Sequence, residues 1–421
     1  MDNLLLAFVF VGGYLAIAFE HWLKLNKAAS ALITGVLCWT IYMFQGNSSH
    51  SVTEQLLAQL GEIASILFFL LGAMTIVELI DSHNGFEIIT QRIQTTSKEK
   101  LVYIIAAVSF LLSALLDNLT TAIVMVSICS KLLHNKEDRW WFGSIIIIAA
   151  NAGGAWSPLG DVTTTMLWIG GQLTAINIIK SLILPSLASC LIPALLIGYR
   201  FRKEKLTRIP LSKSSYESNR DGRIILVFGI GLILFVPAFK TITHLPPFMG
   251  MLLALGFMWI VTSFLHKNKS PEDSKRLTVA NALQKIDTPS ILFFLGILLS
   301  ISALQSNGLL KDLANILRDT LQNDYKIGTA LGLLSSVVDN VPLVAASQGM
   351  FDLSEYPTDH NFWEFLALTT GTGGSMIIIG SAAGVAVMGI EQINFIWYLK
   401  KISWLAVLGF IAGILSYLLQ L

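Results

Sequence analysis

Three acids stand where an apolar chain has least use for them. Asp117 in "SALLDNLTTA" and Asp339 in "SSVVDN" each sit midway through an apolar run, and each is followed by an asparagine, Asn118 and Asn340. Asp161 lies in "NAGGAWSPLGDVTTT", where Gly153, Gly154, Pro158 and Gly160 oppose a continuous helix. Carboxylate and amide oxygens are hard ligands that suit alkali cations better than soft metals. Thr120, Asn151, Thr163, Thr164 and Ser335 add oxygens near the same breaks, as does Ser375 in "GTGGSMIIIGSAAG". Desolvation favours the neutral form of a carboxylic acid. A buried carboxylate therefore holds a proton or a cation, but not both favourably. That competition, presented alternately to two sides of a membrane, is exchange. No Lys or Arg lies close to the breaks, so a cation is a simpler cargo than an anion. Asp and Asn are also good helix N-caps, and Pro342 suits a first helical turn. Capping and ligation are compatible roles, but capping alone needs no charge at two matching breaks where Ser would serve.

The elements that must position these residues are membrane spans. The 421 residues are 54% hydrophobic and 13% charged, about half the charge of an ordinary soluble domain. Mean hydropathy is +0.68, which leaves no room for a large soluble domain. Uninterrupted apolar segments of spanning length fall near 4–22, 28–44, 60–80, 176–199, 223–241, 247–265, 289–305 and 402–420. Four further regions are apolar on both sides of a polar, Gly or Pro break: 101–133, 141–170, 326–351 and 361–390. The two arms of 101–133 reach only about 24 and 22 Å at the helical rise of 1.5 Å per residue, short of a hydrocarbon core of about 30 Å. With 101–133 and 326–351 as re-entrant hairpins and the N-terminus outside, 23 of the 28 Lys and Arg fall in cytoplasmic loops. If both hairpins crossed, the majority would lie outside, so the positive-inside rule selects the hairpins. The expectation is ten spans plus two hairpins that open from opposite faces, with the loop 199–223 cytoplasmic.

An internal repeat organises these pieces. "ILFFL" at 66–70 recurs at 291–295, "SALLDN" matches "SSVVDN", and "GGAWSPLG" matches "GGSMIIIG", in the same order and about 220 residues apart. Each half then holds five spans and one hairpin. Five is odd, so the halves lie in opposite orientations. The expected fold is an all-α polytopic membrane protein built as an inverted repeat, with interrupted helices at the midplane, an architecture of secondary transporters. The first repeat covers 1–200, with hairpin 101–133 and broken helix 141–170. A cytoplasmic linker follows at 201–222. The second repeat covers 223–421, with hairpin 326–351 and broken helix 361–390. Asp161 has no acidic counterpart in the second half.

Other features are less pointed. Glu62 and Glu78 flank an apolar span, and Glu62 is a candidate ion-path residue or an interfacial acid. Trp140, Trp141, Trp363 and Trp397 suit interfacial belts. "LLKDLANILRDTLQ" at 309–322 reads as an amphipathic surface helix. Cys38, Cys129 and Cys190 lie in apolar segments with no disulfide or CxxC pattern. The start, "MDNLLLAF", lacks a basic n-region, so the first segment is expected to be a retained span. A net charge of +1 gives no reason to expect a nucleic-acid partner, and no cofactor is implied.

The runs "YLAIAFEHWLKLNKAASALITGVLCWTIY", "LLSALLDNLTTAIVM", "NAGGAWSPLGDVTTTMLW" and "SSVVDNVPLVAA" resemble the NhaD-type sodium/proton antiporters of the ion transporter superfamily, over nearly the whole chain. The resemblance implies Na⁺ or Li⁺ export driven by inward proton flow, a homodimer, elevator-like movement and a bacterial inner membrane. By position, Asp117, Asn118, Asn151, Asp161, Thr163, Thr164, Ser335, Asp339 and Asn340 match the family's polar motifs. Asp117, Asn118, Asp161, Asp339 and Asn340 are the candidate Na⁺ ligands. The superfamily also contains dicarboxylate, citrate and arsenite carriers. Dicarboxylate members carry Ser-Asn-Thr at the hairpin tips where this chain has Asp-Asn, which weakens the alternative of a sodium-coupled dicarboxylate or other anion carrier. An intramembrane aspartyl protease would need Gly-x-Gly-Asp, whereas Asp161 follows "SPLG".

Overall fold

The computed structural model describes residues 2–18, 20–45, 49–86, 95–206, 220–267 and 277–421. The centre of the linker expected at 201–222, and parts of the loops 81–100 and 266–289, lie outside the described residues. Every described element is helical. In the first half these are α1 (Asp2–Ala18), α2 (Glu20–Leu23), α3 (Lys27–Phe44), α4 (Ser49–Ser82), α5 (Lys98–Ser113), α6 (Asn118–Leu132), α7 (Lys136–Ala155), α8 (Val162–Ile169) and α9 (Ala175–Arg200). In the second they are α10 (Arg220–Thr243), α11 (Pro247–His266), α12 (Val279–Lys285), α13 (Thr288–Asn307), α14 (Leu309–Leu321), α15 (Asp324–Leu334), α16 (Asn340–Met350), α17 (Asn361–Gly373), α18 (Ala382–Glu391), α19 (Phe395–Lys401) and α20 (Ser403–Leu418).

Six of the described helices are long and apolar enough to cross a membrane, or seven if α18 and α19, bent by 117°, count as one span. The chain is thus an all-α polytopic membrane protein. Side chains such as Phe44 and Phe264, 83% and 73% exposed, present apolar surface that lipid rather than water must cover. The expected count of ten is not met by length and composition alone. α1 and α20 are 17 and 16 residues long, and each broken region divides at its break into two separate helices. The expected span 60–80 belongs to a much longer helix of 34 residues.

The breaks fall where the sequence places them. Asp117 caps α6, Asp161 caps α8, Asp339 caps α16 and Ser381 caps α18. At one end of α5 and α7, Lys98 Nζ lies 2.7 Å from Asp138 Oδ2. At the other, Ser113 Oγ donates to the Ala150 carbonyl at 2.6 Å. α5 and α7 therefore run side by side in one direction, and α6, which joins the end of the first to the start of the second, must run back. The second half repeats this. The Tyr325 and Phe365 rings meet at 5.2 Å, Ser335 Oγ donates to the Thr370 carbonyl at 2.8 Å, and α16, which joins the end of α15 to the start of α17, must run back. The helices approach closely enough that a Cβ on Gly153 would overlap the Phe110 carbonyl, and one on Gly373 the Gly332 carbonyl.

The densest packing falls into two bodies. In one, α3 crosses α13, α1 lies on α3, and α4 packs on α11. Trp39 Nε1 donates to the Leu299 carbonyl at 2.9 Å across the first of these crossings. In the other, α5–α9 interlock with α15–α20, and small residues let α20 approach α9, with Gly409 against the Ser189 carbonyl. The main seams between the bodies are α13 on α16 and α4 on α8. The amphipathic α14, where the sequence expects it, bridges α13 to α15 and α16. Trp363 departs from the interfacial belt expected of it. It is fully buried, and its Nε1 donates to the Tyr356 carbonyl at 2.9 Å. Trp141 is also buried, edge-on to Phe201 and Trp397.

Candidate functional site

The four caps bring the polar residues to the centre of the second body. Asp161 begins α8 with extended backbone, and its Oδ1 accepts the Thr163 N–H at 3.0 Å. The carboxylate is 1% exposed. Both hairpins reach it through their asparagines. Asn118 Nδ2 donates to Asp161 Oδ2 at 2.8 Å, and Asn340 Nδ2 donates to the same oxygen at 3.1 Å. Asn118 Nδ2 also donates to Asn151 Oδ1 at 3.0 Å. Asn151 Nδ2 in turn donates to Ser375 Oγ and Ser381 Oγ, both at 2.9 Å. All six side chains are buried, so one continuous network ties both hairpins to both broken helices.

The hairpin acids are placed differently. Asp117 Oδ1 accepts the Thr120 N–H at 2.7 Å and Asp117 Oδ2 accepts the Thr120 hydroxyl at 2.8 Å. Its φ of 34° is strained for a residue with a side chain, at a cost of order 1–3 kcal/mol. Asp339 has an ordinary φ of −49°, and its Oδ1 accepts the Val341 N–H at 3.2 Å. Both acids cap their helices, as the residue types allow, and the asparagines beside them make the contact with Asp161.

Other expected residues divide into ligand-like and bracing roles. Thr163 Oγ1 is buried beside the Asp161 carboxylate without a well-formed hydrogen bond, and Thr121 Oγ1, in the first turn of α6, is buried with no hydrogen-bond partner. A native protein rarely leaves such groups unsatisfied, so both hydroxyls are available to a cargo ion. Thr164 Oγ1 donates to the Asp161 carbonyl at 2.9 Å, and Ser335 is committed to Thr370. These hold backbone in place. Ser381, one of the hydroxyls of "GTGGSMIIIGSAAG", stands in the second half where Asp161 stands in the first. The repeat register is the signal that finds it.

Two cavities flank α8. One of about 740 Å³ opens at the end of the molecule that carries Glu62, Gln172, Gln305 and Lys311, and reaches inward to Met166 and Ala345. Glu62 is exposed on its wall. The other, of about 20 Å³, lies beside Asp117 among Leu70, Met74, Leu116, Thr165 and Met251. That is room for about one water. Both lie along the α4–α8 seam.

A family model described as a citrate transporter matches residues 14–373. "Sodium/proton antiporter 2" of Arabidopsis thaliana is 44% identical over 416 residues, which is 98% of each chain. "Sodium/proton antiporter 1" of the same plant is 44% identical over 99% of this chain and 72% of its own length. "Na(+)/H(+) antiporter NhaD" of Vibrio cholerae is 31% identical over 98% of this chain and 90% of its own. This chain belongs to the NhaD-type antiporter family of the ion transporter superfamily. In this NhaD-type chain the acid-centred network can compensate a monovalent charge. A half-turn of either hairpin amide replaces a donated N–H with a carbonyl oxygen, so the groups that satisfy Asp161 here can also ligate a cation beside it.

Proposed function

We propose that this protein is a secondary active antiporter that exports Na⁺ or Li⁺ in exchange for protons, with Asp161 as the carboxylate for which the two compete. One observation carries this reading. Asp161 is buried, and among the described residues its hydrogen-bond donors are two neutral amides and a backbone N–H. Among the described residues no positive side chain pairs with it. A buried carboxylate without a fixed partner needs a mobile one, and a proton or an alkali cation serves.

Movement follows the seam between the bodies. We place α5–α9 and α15–α20 in a mobile body that carries the site, and α1, α3, α4, α10, α11 and α13 in a scaffold. Sliding one on the other presents Asp161 alternately to each face. The matched contacts Ser113–Ala150 and Ser335–Thr370 support an inverted repeat of 1–200 and 223–421, with five spans and a re-entrant hairpin in each half. Lys98, Arg139 and Arg200, paired with Asp138, Glu391 and Glu137 at one end of the mobile body, support placing that end and the 199–223 loop in the cytoplasm, with the N-terminus outside. The cavity past Glu62 then opens outward. The reading takes in a homodimer and a bacterial inner membrane, as the resemblance in sequence implies.

The citrate description of the family model favours a second reading, a sodium-coupled anion carrier. It would bring a carboxylate ligand toward the buried Asp161, a like-charge contact that raises its cost. The deciding experiment is proton flux in vesicles on addition of Na⁺, Li⁺ or K⁺ without any organic anion. Flux with Na⁺ or Li⁺ supports the antiporter. Flux that appears only with citrate or a dicarboxylate overturns it.

A further inference from the structure

Helix α8 is held at both ends. Its N-cap is Asp161, and its last turn ends in the carbonyl of Trp168, one of the terminal acceptors a helix leaves without an internal partner. Within the chain's own turn that carbonyl is met by the Gly170 N–H, which it shares with the Met166 carbonyl, and by the Gly171 N–H at 3.4 Å. Lys240, in the last turn of α10, donates to it from Nζ at 2.7 Å. The same ammonium lies 4.8 Å from the centre of the Trp168 indole, within the range of a cation–π contact. Trp168 is 2% exposed, and its ring meets Phe69 of α4 edge-on at 6.2 Å. A cation at a helix C-terminus is favourable in itself. Here the cation belongs to the scaffold and the helix to the body that carries Asp161. The bond therefore exists only while the two bodies keep this relative position.

We propose that Lys240 is a positioning residue specific to one state of the transport cycle. Its ammonium holds the C-terminal end of the Asp161 helix against the scaffold in the conformation whose cavity opens past Glu62, and it must let go for the mobile body to move. The proposal rests on the alternating-access reading above, so its test includes a measurement that needs no transport.

Ala345 lines the cavity from the mobile body. An Ala345→Cys variant, with Cys38, Cys129 and Cys190 changed to Ser, is labelled in vesicles with a membrane-impermeant maleimide. Adding Lys240→Met is expected to slow labelling about tenfold, the population shift that loss of one charge-assisted bond produces. Lys240→Arg, which can still donate to the carbonyl and stack on the indole, is expected to restore the rate. In exchange assays Lys240→Met should raise the Na⁺ KM at the cavity face and lower it at the opposite face. Unchanged labelling in Lys240→Met, failure of Lys240→Arg to restore it, or KM changes of the same sign at both faces would overturn the proposal. If labelling shifts as expected while no variant, nor the parent, moves protons on addition of Na⁺, the antiporter reading fails and the positioning role stands.

Discussion

The sharpest perturbation is Asp161→Asn, which keeps shape and removes charge. Asp161 accepts N–H groups from Thr163, Asn118 and Asn340 at 3.0, 2.8 and 3.1 Å. An asparagine offers one oxygen for the three. If that oxygen keeps the Thr163 cap, its NH₂ faces two other NH₂ groups. Turning Asn118 relieves one clash but takes its amide from Asn151. Hydrogen bonds to a charged group are worth about 1.5–3 kcal/mol each, so two lost bonds amount to roughly 3–6 kcal/mol. The buried charge, with its desolvation cost, disappears in the same step, so the variant should still insert and fold. Its exchange should fall below detection, because nothing remains for a proton and a cation to compete over. Binding gives an independent readout. At a Na⁺ concentration 100 times Kd, the parent should gain about 2.7 kcal/mol of stability over choline, and Asp161→Asn should gain none. Asp161→Glu should keep exchange with weaker Na⁺ affinity. Na⁺-driven proton movement in inserted Asp161→Asn within tenfold of the parent would refute the carboxylate-competition argument.

Three further outcomes follow. Asp117→Asn keeps an oxygen for the Thr120 N–H, so the hairpin should hold its shape; exchange should nonetheless be abolished, and parent-like flux would reduce Asp117 to a cap. Thr163→Val removes a buried hydroxyl that makes no well-formed hydrogen bond, although it lies beside the Asp161 carboxylate, so thermal stability should change little. Its Na⁺ KM should rise about tenfold, the loss of one ligating oxygen worth about 1.4 kcal/mol, and an unchanged KM in vesicle titrations would remove Thr163 from the site. Gly373→Ala forces a Cβ onto the Gly332 carbonyl, an overpacking cost of about 1–3 kcal/mol. It should cut exchange sharply by parting α15 from α17, and a melting temperature and turnover equal to the parent's would contradict that.

The breaks were legible because their causes are local. Pro158 and Gly160 fall in the break between α7 and α8, whereas Gly153 and Gly154, also expected to break the helix, stay in the last turn of α7, and Asp117, Asp161, Ser381 and Asp339 are caps by residue type. The amphipathic pattern of 309–322 was legible for the same reason. Which side chain reaches the centre was not legible. At each tip it depends on a single backbone turn, and at Asp117 that turn is a strained positive φ that no propensity encodes. The same turn sends the acid to Thr120 and the neighbouring amide to Asp161. Trp363 suits a belt by residue type, but it is buried, and Glu364 beside it accepts from Asn177 and Tyr417. Lys240 read as an ordinary outer lysine. Its partner is a backbone carbonyl 72 residues away, and pairing of that kind leaves no mark on sequence pattern.

The difference between the two halves bears on what the centre can hold. Asp161 and Ser381 occupy the same register, cap equivalent helices and have nearly the same backbone angles, φ −144° and −145°. Asn118 and Asn340 also correspond, yet both amides turn to Asp161. A centre with an acid in each half would carry two buried charges within one network, and their repulsion would oppose joint ionisation. With Ser381 in place of a second acid, the network carries one formal charge and a full set of neutral dipoles to orient around it. One monovalent cation or one proton then suffices to neutralise it. The remaining acids, Asp117 and Asp339, cap their own helices at the hairpin tips and share no hydrogen bond with this network, although both lie close enough to act on Asp161 through charge. Removing the centre's charge should therefore abolish exchange whatever the tips do, and restoring it from the other side offers a test. An Asp161→Ser, Ser381→Asp double variant places the carboxylate within reach of Asn151, which already donates to Ser381 at 2.9 Å. If a single central charge is what matters, the double variant should recover measurable Na⁺/H⁺ exchange that Asp161→Ser alone lacks. Equal inactivity of the two, with both inserted, would mean that the position of the charge, and not only its presence, is fixed by α8.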